Sequence, residues 1–161
     1  MRVDARLVEH AFEPAGELAS FIAKLTDEGG VVSFVGVARP HSRSGVAVER
    51  LFLEHHPRLT QRSLEEIAQD AARRFEVSAV RVVHRCGEVL PGEPIVFAAA
   101  AALHRRAAFE AADYLMDRLK TDAVFWKREE GAVGSTWIEP TEADRRDRAR
   151  WKETCPESTR P

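Results

Sequence analysis

With 161 residues, 44% hydrophobic and 31% charged, the chain can bury one sizeable core and is too short for two comfortable domains. A formal net charge of −2 argues against general nucleic-acid or membrane-surface binding. No segment reads as a signal peptide or a bilayer span, and Cys86 and Cys155 lack CxxC spacing, so a cytoplasmic protein without a disulfide framework or cysteine zinc site is expected.

Pro14 to Glu28 is expected as a helix, with Leu18, Phe21, Ile22 and Leu25 on one face and Gly29-Gly30 as its stop. Val31 to Val37 is β-branched and apolar, the pattern of a buried strand. Ala38 to Gly45 holds Arg, Pro, His, Ser and Gly and reads as a loop, followed by a second strand from Val48 to His55. Pro57 opens a helix to about Phe75, striped by Leu64, Ile67, Ala68, Ala71 and Phe75. Val80, Val82 and His84 alternate with Arg81, Val83 and Arg85, as in a half-buried strand, and Gly87 to Glu93 reads as a turn or longer connection.

Pro94 to Leu103 is another buried strand, and a helix from Arg105 to Lys120 is expected to bury Phe109, Ala112, Met116 and Leu119. Val124 to Glu130 and Ser135 to Glu139 form two strands joined through Gly131 and Gly134. A charged helix runs from Glu142 to Trp151, and residues 154–161 are expected as a disordered tail. Helix–strand–strand units in this order describe an α+β fold with largely antiparallel sheet, in one domain over residues 1–153.

Only four cations are lysines against twenty arginines, and two of the four, Lys120 and Lys127, flank a helix-to-strand junction. Lysine offers an amine that burial can bring near neutrality, which arginine does not. The two amines can converge on one pocket, although their spacing alone also fits surface cations, and a cation is favoured at a helix C-terminus in any case. Strand alternation puts Phe125, Lys127 and Glu129 on one face. Desolvation there would lower the Lys127 pKa and Glu129 would raise it again.

His104-Arg105-Arg106 stands where a strand gives way to a helix, so imidazole, guanidinium and free N–H groups could form an anion site; a solvated helix start is the alternative. Arg39 could reach that site from the sheet edge. His55, His56, His84 and His104 have neither i, i+4 spacing nor cysteine company, so no metal is expected. Ser33, Ser42 and Ser44 lack a nucleophile elbow, and no Gly-rich phosphate loop is present.

Several separated motifs carry a resemblance over residues 3 to 151. They are Phe34-Val35-Gly36-Val37-Ala38-Arg39, Leu53-Glu54-His55-His56-Pro57, and His84-Arg85-Cys86-Gly87-Glu88 with Pro91-Gly92-Glu93. His104-Arg105 with Ala108-Phe109, Leu119-Lys120-Thr121, and Phe125-Trp126-Lys127-Arg128-Glu129 with Trp137 complete the series. In this order the chain resembles the family of large, catalytic subunits of molybdopterin synthase. The resemblance implies an α/β hammerhead fold with an additional antiparallel β subdomain. It implies sulfur transfer in molybdenum cofactor synthesis, from the C-terminal Gly-Gly thiocarboxylate of a small ubiquitin-like partner to cyclic pyranopterin monophosphate. It also implies a heterotetramer around a homodimer of large subunits, and no cofactor. By resemblance Lys120 and Lys127 are catalytic, Arg39, His104 and Arg105 bind the substrate phosphate, Phe34 and Met116 line the pocket, and Glu129 orients Lys127. His56 stands where the family often has Tyr, and Thr141 falls in the stretch where it often carries an Arg reaching the neighbouring subunit. Arg145 or Arg146 is the candidate replacement. A non-catalytic module docking a ubiquitin-like tail and a phosphate-binding enzyme of another kind are the rival readings.

Overall fold

The computed structural model describes residues 1–152; the expected tail at 154–161, with Cys155, lies outside the described residues. Two four-stranded sheets and four helices form a mixed α+β fold. The first sheet contains β1 (Arg2–Val8), β2 (Gly30–Val37), β4 (Ala79–Arg85) and β6 (Pro94–Ala102) in the order β1-β4-β6-β2. The second contains β3 (Arg50–His55), β5 (Gly87–Val89), β7 (Phe125–Gly131) and β8 (Gly134–Ile138) in the order β5-β3-β7-β8. All pairs are antiparallel except β1 with β4. The wholly antiparallel second sheet is the additional β subdomain.

Period-two alternation along β6 explains the layering. Val96, Ala98, Ala100 and Ala102 face α2 (Pro57–Arg74) and α3 (Arg105–Thr121), while Phe97, Ala99 and Ala101 face α1 (Pro14–Ile22) on the other side. Both faces of the sheet are therefore covered. This corrects the expectation for β4, whose seven residues are all buried rather than half-buried. Arg81 tolerates this because Asp4 (2.9 Å) and Glu17 (3.2 Å) meet its guanidinium.

Strand β1 went unread, although Val3, Ala5 and Leu7 alternate with Arg2, Asp4 and Arg6 and pack on the α2–α3 core. Helix α1 stops at Ile22, not Glu28. The Glu28 carboxylate instead accepts from Thr26 N (2.7 Å), Asp27 N (3.0 Å) and the Ser78 hydroxyl, a local alternative to helix. The Gly87–Glu93 connection contains a real strand: Gly87 adopts φ +76°, which lets the chain leave β4 and enter β5 in the other sheet.

On α3 the buried stripe is Ala108, Ala111, Ala112, Leu115 and Leu119, and Phe109 is 59% exposed. The alanine-rich face of β6 admits a close helix with small contact residues, which turns Phe109 outward. The start of β7 is set by α2: Thr60 Oγ1 donates to Val124 O (2.6 Å), and Val124 N donates to Ser63 Oγ (3.2 Å). With both backbone groups of Val124 taken by α2 side chains, strand pairing begins one residue later than expected, at Phe125. The helix α4 (Glu142–Ala149) closes the described chain, two residues short of the expected Trp151.

Leu115 is fully buried between helices and sheet. Leu115→Ala is expected to destabilise the fold by about 3 kcal/mol in urea unfolding, against near-neutral Arg62→Ala on the exposed face of α2.

Candidate active site

The crease between the two sheets is where the rare lysines meet. Phe125 packs against both the α2–α3 core and the small core of the second sheet, formed by Leu51, Leu53, Val89 and Ala38. Its ring stacks on buried His84 at 4.3 Å and 25°. Two residues along β7, Lys127 points the same way, with its ammonium 6.0 Å from the Phe125 ring centroid. Lys120 arrives from the last turn of α3. Both line one cavity of about 380 Å³, with an apolar floor that includes Leu51, Leu53 and Ile138.

Burial, reinforced by the charge of Lys120 and opposed by that of Asp144, lowers the Lys127 pKa from 10.5 to about 8. The opposing carboxylate is therefore Asp144, not Glu129 as strand alternation suggested, although Glu129 does line the cavity. Beneath them, burial and the Lys127 charge push His84 down to about 3, so its ring is neutral. Its Nδ1 lies 2.8 Å from Arg85 O, and because a carbonyl only accepts, Nδ1 carries the proton.

Arg39, Phe34 and Met116 line the same cavity as the lysines. His104 and Arg105 do not. They open on a different surface pocket with Gly29, Leu103, Arg106 and Phe109, so Arg39 does not join them. The His104 side chain makes no cap bond at the start of α3, and it and Arg105 are exposed. Arg105 and Lys120 stand at opposite ends of α3, which at 1.5 Å per residue separates them by about 22 Å.

Arg145 and Arg146 are exposed on α4 and do not line the cavity; Arg145 lies 3.9 Å from Glu142. Asp144, from the same turn, does line it, as do Arg43 of the loop after β2 and Asp117 of α3. None of these three was singled out in the sequence. Thr141-x-x-Asp144 was a legible helix-start signature, but nothing in it pointed to a cavity. Cys86 is buried, and burial pushes its thiol pKa up, with Glu9 adding to the effect and Arg85 opposing it. One donor atom each from Glu9, His55 and Cys86 lie within 4.8 Å of one another, and none of the three lines the lysine cavity.

Fold and cavity together define the class: an α+β enzyme subunit whose cationic, half-apolar cleft suits an anionic substrate. Residues 7–122 match the MoaE protein family, and the chain belongs to that family. It is 48% identical over 145 residues to the molybdopterin synthase catalytic subunit of Caulobacter vibrioides, covering 90% of this chain and 95% of that protein. The catalytic subunit of the same name from Pseudomonas aeruginosa is 42% identical over 148 residues, 92% of this chain and 98% of the other. Among solved structures, the molybdopterin biosynthesis MoaE protein of Burkholderia ambifaria superposes with a TM-score of 0.77 at 36% identity, covering 92% of this chain and 97% of that one. Among the described residues no helix is long and apolar enough to cross a membrane.

Lys127 holds its proton less tightly in the folded chain, at about 8, than when unfolded, at 10.5. Its burial therefore costs most below pH 8, and stability rises as pH climbs from about 8 towards 10.5. Lys127→Met is expected to be more stable than wild type by ~1–3 kcal/mol at pH 7, with the gap closing across that window in urea titrations at successive pH values.

Proposed function

We propose that this chain is the catalytic subunit of a molybdopterin synthase and carries out sulfur transfer to cyclic pyranopterin monophosphate at the Lys120–Lys127 cavity. The observation that carries this reading is the convergence of the two lysines, from α3 and β7, on one cleft edged by Arg39. In this reading the thiocarboxylate tail of a small ubiquitin-like subunit enters the cleft and its sulfur bonds to a side-chain carbon of the pterin as a C–O bond there breaks and the oxygen takes up a proton. Water then cleaves the acyl–sulfur bond, releasing the tail as a carboxylate and leaving the sulfur on the pterin. Lysine ammonium groups offset the negative charge that builds on the attacked carbon framework and the departing carboxylate. With a pKa of about 8, Lys127 populates both ammonium and amine near neutral pH, so it can give and accept a proton within one turnover. Glu129 shares the cavity with Lys127 and is given an orienting role toward it by the family resemblance, and Phe34 and Met116 form the apolar wall against the pterin. Among the described residues the one cysteine, Cys86, is buried with a raised thiol pKa, which supports delivery of the sulfur by a partner.

The substrate phosphate calls for Arg39, His104 and Arg105, yet about 22 Å of helix separates Arg105 from Lys120. A pyranopterin monophosphate cannot span that distance. If both groups serve one substrate, His104 and Arg105 must come from the second copy in the homodimer at the heart of a heterotetramer. The exposed apolar side chains Phe34, Val35 and Val37 on the free edge strand β2, with Phe109 of α3, form a surface suited to such a contact. A cytoplasmic setting completes this reading.

Mixing the chain with thiocarboxylated small subunit and the pyranopterin precursor should yield dithiolene product, and no product with a fully loaded partner would sink the reading. Lys120→Ala and Lys127→Ala are each expected to lower turnover at least ~100-fold while partner affinity stays within a few-fold. A binding module would instead show no turnover in the wild type. Arg145→Ala/Arg146→Ala should reduce substrate affinity if either arginine reaches the neighbouring site; unchanged affinity rules that out.

The two-chain site has its own check. A Lys120→Ala/Lys127→Ala chain and a His104→Ala/Arg105→Ala chain are each expected to be inactive alone. Co-refolded, they should regain about a quarter of wild-type turnover, because half the dimers are mixed and each mixed dimer has one intact site of two. Failure to complement, with mixed dimers demonstrated, would overturn the two-chain site.

A further inference from the structure

The lysine cavity holds more charge than its two lysines. Arg39 and Arg43 enter from the loop after β2, Lys120 from α3 and Lys127 from β7. Against these four cations stand three carboxylates, Asp117 of α3, Glu129 of β7 and Asp144 of α4, while His84 of β4 is neutral. Asp117 is already engaged, accepting from Arg150 at 2.8 Å and from the Trp151 indole at 2.5 Å. Two carboxylates are left for four cations in a crease that is partly closed to water, where like charges repel more strongly than in solvent.

Asp144 is the better fixed of the two. It occupies the third position of α4, where Thr141 N and Thr141 Oγ1 each donate to its Oδ2 at 2.6 Å and its own N donates back to Thr141 Oγ1 at 3.2 Å. This capping box leaves the carboxylate little freedom to swing. The same Oδ2 lies 3.9 Å from Arg43 Nη2, with the Asp144 side chain 20% exposed. Burial alone would push the Asp144 carboxyl up, but the Thr141 hydrogen bonds and the charges of Lys120 and Arg43 outweigh it and hold it below the usual range. In return Asp144 opposes the fall in the Lys127 pKa.

We propose that Asp144 is a positioning residue of the sulfur-transfer site: held by Thr141, its carboxylate supplies the counter-charge that lets Lys120 and Lys127 share one cavity. The role rests on the sulfur-transfer reading, whereas the electrostatic coupling belongs to the chain alone, so the two are measured separately.

The chain has only four lysines, so NMR of the full-length protein labelled at lysine Cε resolves Lys127, assigned by its loss in Lys127→Arg. In Asp144→Asn the amide can keep the capping bonds but not the charge, and the Lys127 midpoint should fall below its wild-type value. Asp144→Glu should restore it in part. Glu142→Gln, which removes the same charge from a 79% exposed position on the same turn, should leave it in place. Asp144→Ser is a second neutral variant should the amide disturb α4. With thiocarboxylated partner and pyranopterin precursor, the alkaline limb of kcat should move down with the midpoint while the partner KM stays unchanged. An unmoved midpoint, a shift that Glu142→Gln reproduces, or a moved midpoint with an unmoved kcat limb overturns the role. If the wild type makes no product, the sulfur-transfer reading falls and the positioning role with it, while the NMR titration still decides the coupling.

Discussion

The stack of Phe125 on His84 is the joint on which the site depends. Phe125 belongs to the second sheet by strand pairing and to the first by packing, since it touches the cores of both. His84 lies in the middle of the molecule at the end of β4, with its proton committed to Arg85 O. Two flat rings 4.3 Å apart seal the bottom of the crease without bringing a charge there. Everything above that seal, including the direction in which Lys127 points, follows from where Phe125 is pinned. That in turn depends on Thr60 and Ser63 of α2, which hold both backbone groups of the preceding residue, Val124.

A dry joint beneath a charged cleft gives the cleft its chemistry. The apolar walls that bury Lys127 favour its neutral form, and Lys120 pushes the same way. Asp144 pulls back, so Lys127 settles near the pH at which a proton can move in either direction. The arrangement has a stability cost, because an ammonium is held where water would solvate it better. In the proposed reading, where this cleft meets an anionic sulfur donor and an anionic substrate, that cost is offset because the positive charge is already in place before either arrives.

The length of α3 is the constraint that reaches beyond a single chain. Its N-terminus carries His104 and Arg105 and its C-terminus carries Lys120, so one rigid element holds the two halves of the charge apart. The side chains between them turn alanine and leucine to the core and Phe109 to the surface, close to the exposed edge of β2. An apolar surface lying between two cationic ones is well placed to join copies of the chain and bring the far end of one α3 to the cleft of another.

Local order was legible wherever short-range chemistry sets it. The stripe of α2, the apolar run of β6, the alternation of Phe125, Lys127 and Glu129 and the α+β class all rest on period and turn residues, which a sequence displays directly. The family motifs named the lysines and Arg39, and the structure does gather these three into one cavity. Which face of α3 is buried, whether both sides of β4 are covered and where α1 ends depended on partners distant in the chain. Phe109 is outside because β6 offers alanines, and α1 ends early because Ser78 helps claim Glu28. Asp144 and Arg43 were unreadable for the same reason: each is an ordinary polar residue until α4 and the loop after β2 fold against the crease. The gap between His104–Arg105 and the lysines is likewise a property of a rigid helix in space. A sequence lists residues in order of covalent connection, whereas charge acts through distance, and only the folded chain sets the distances.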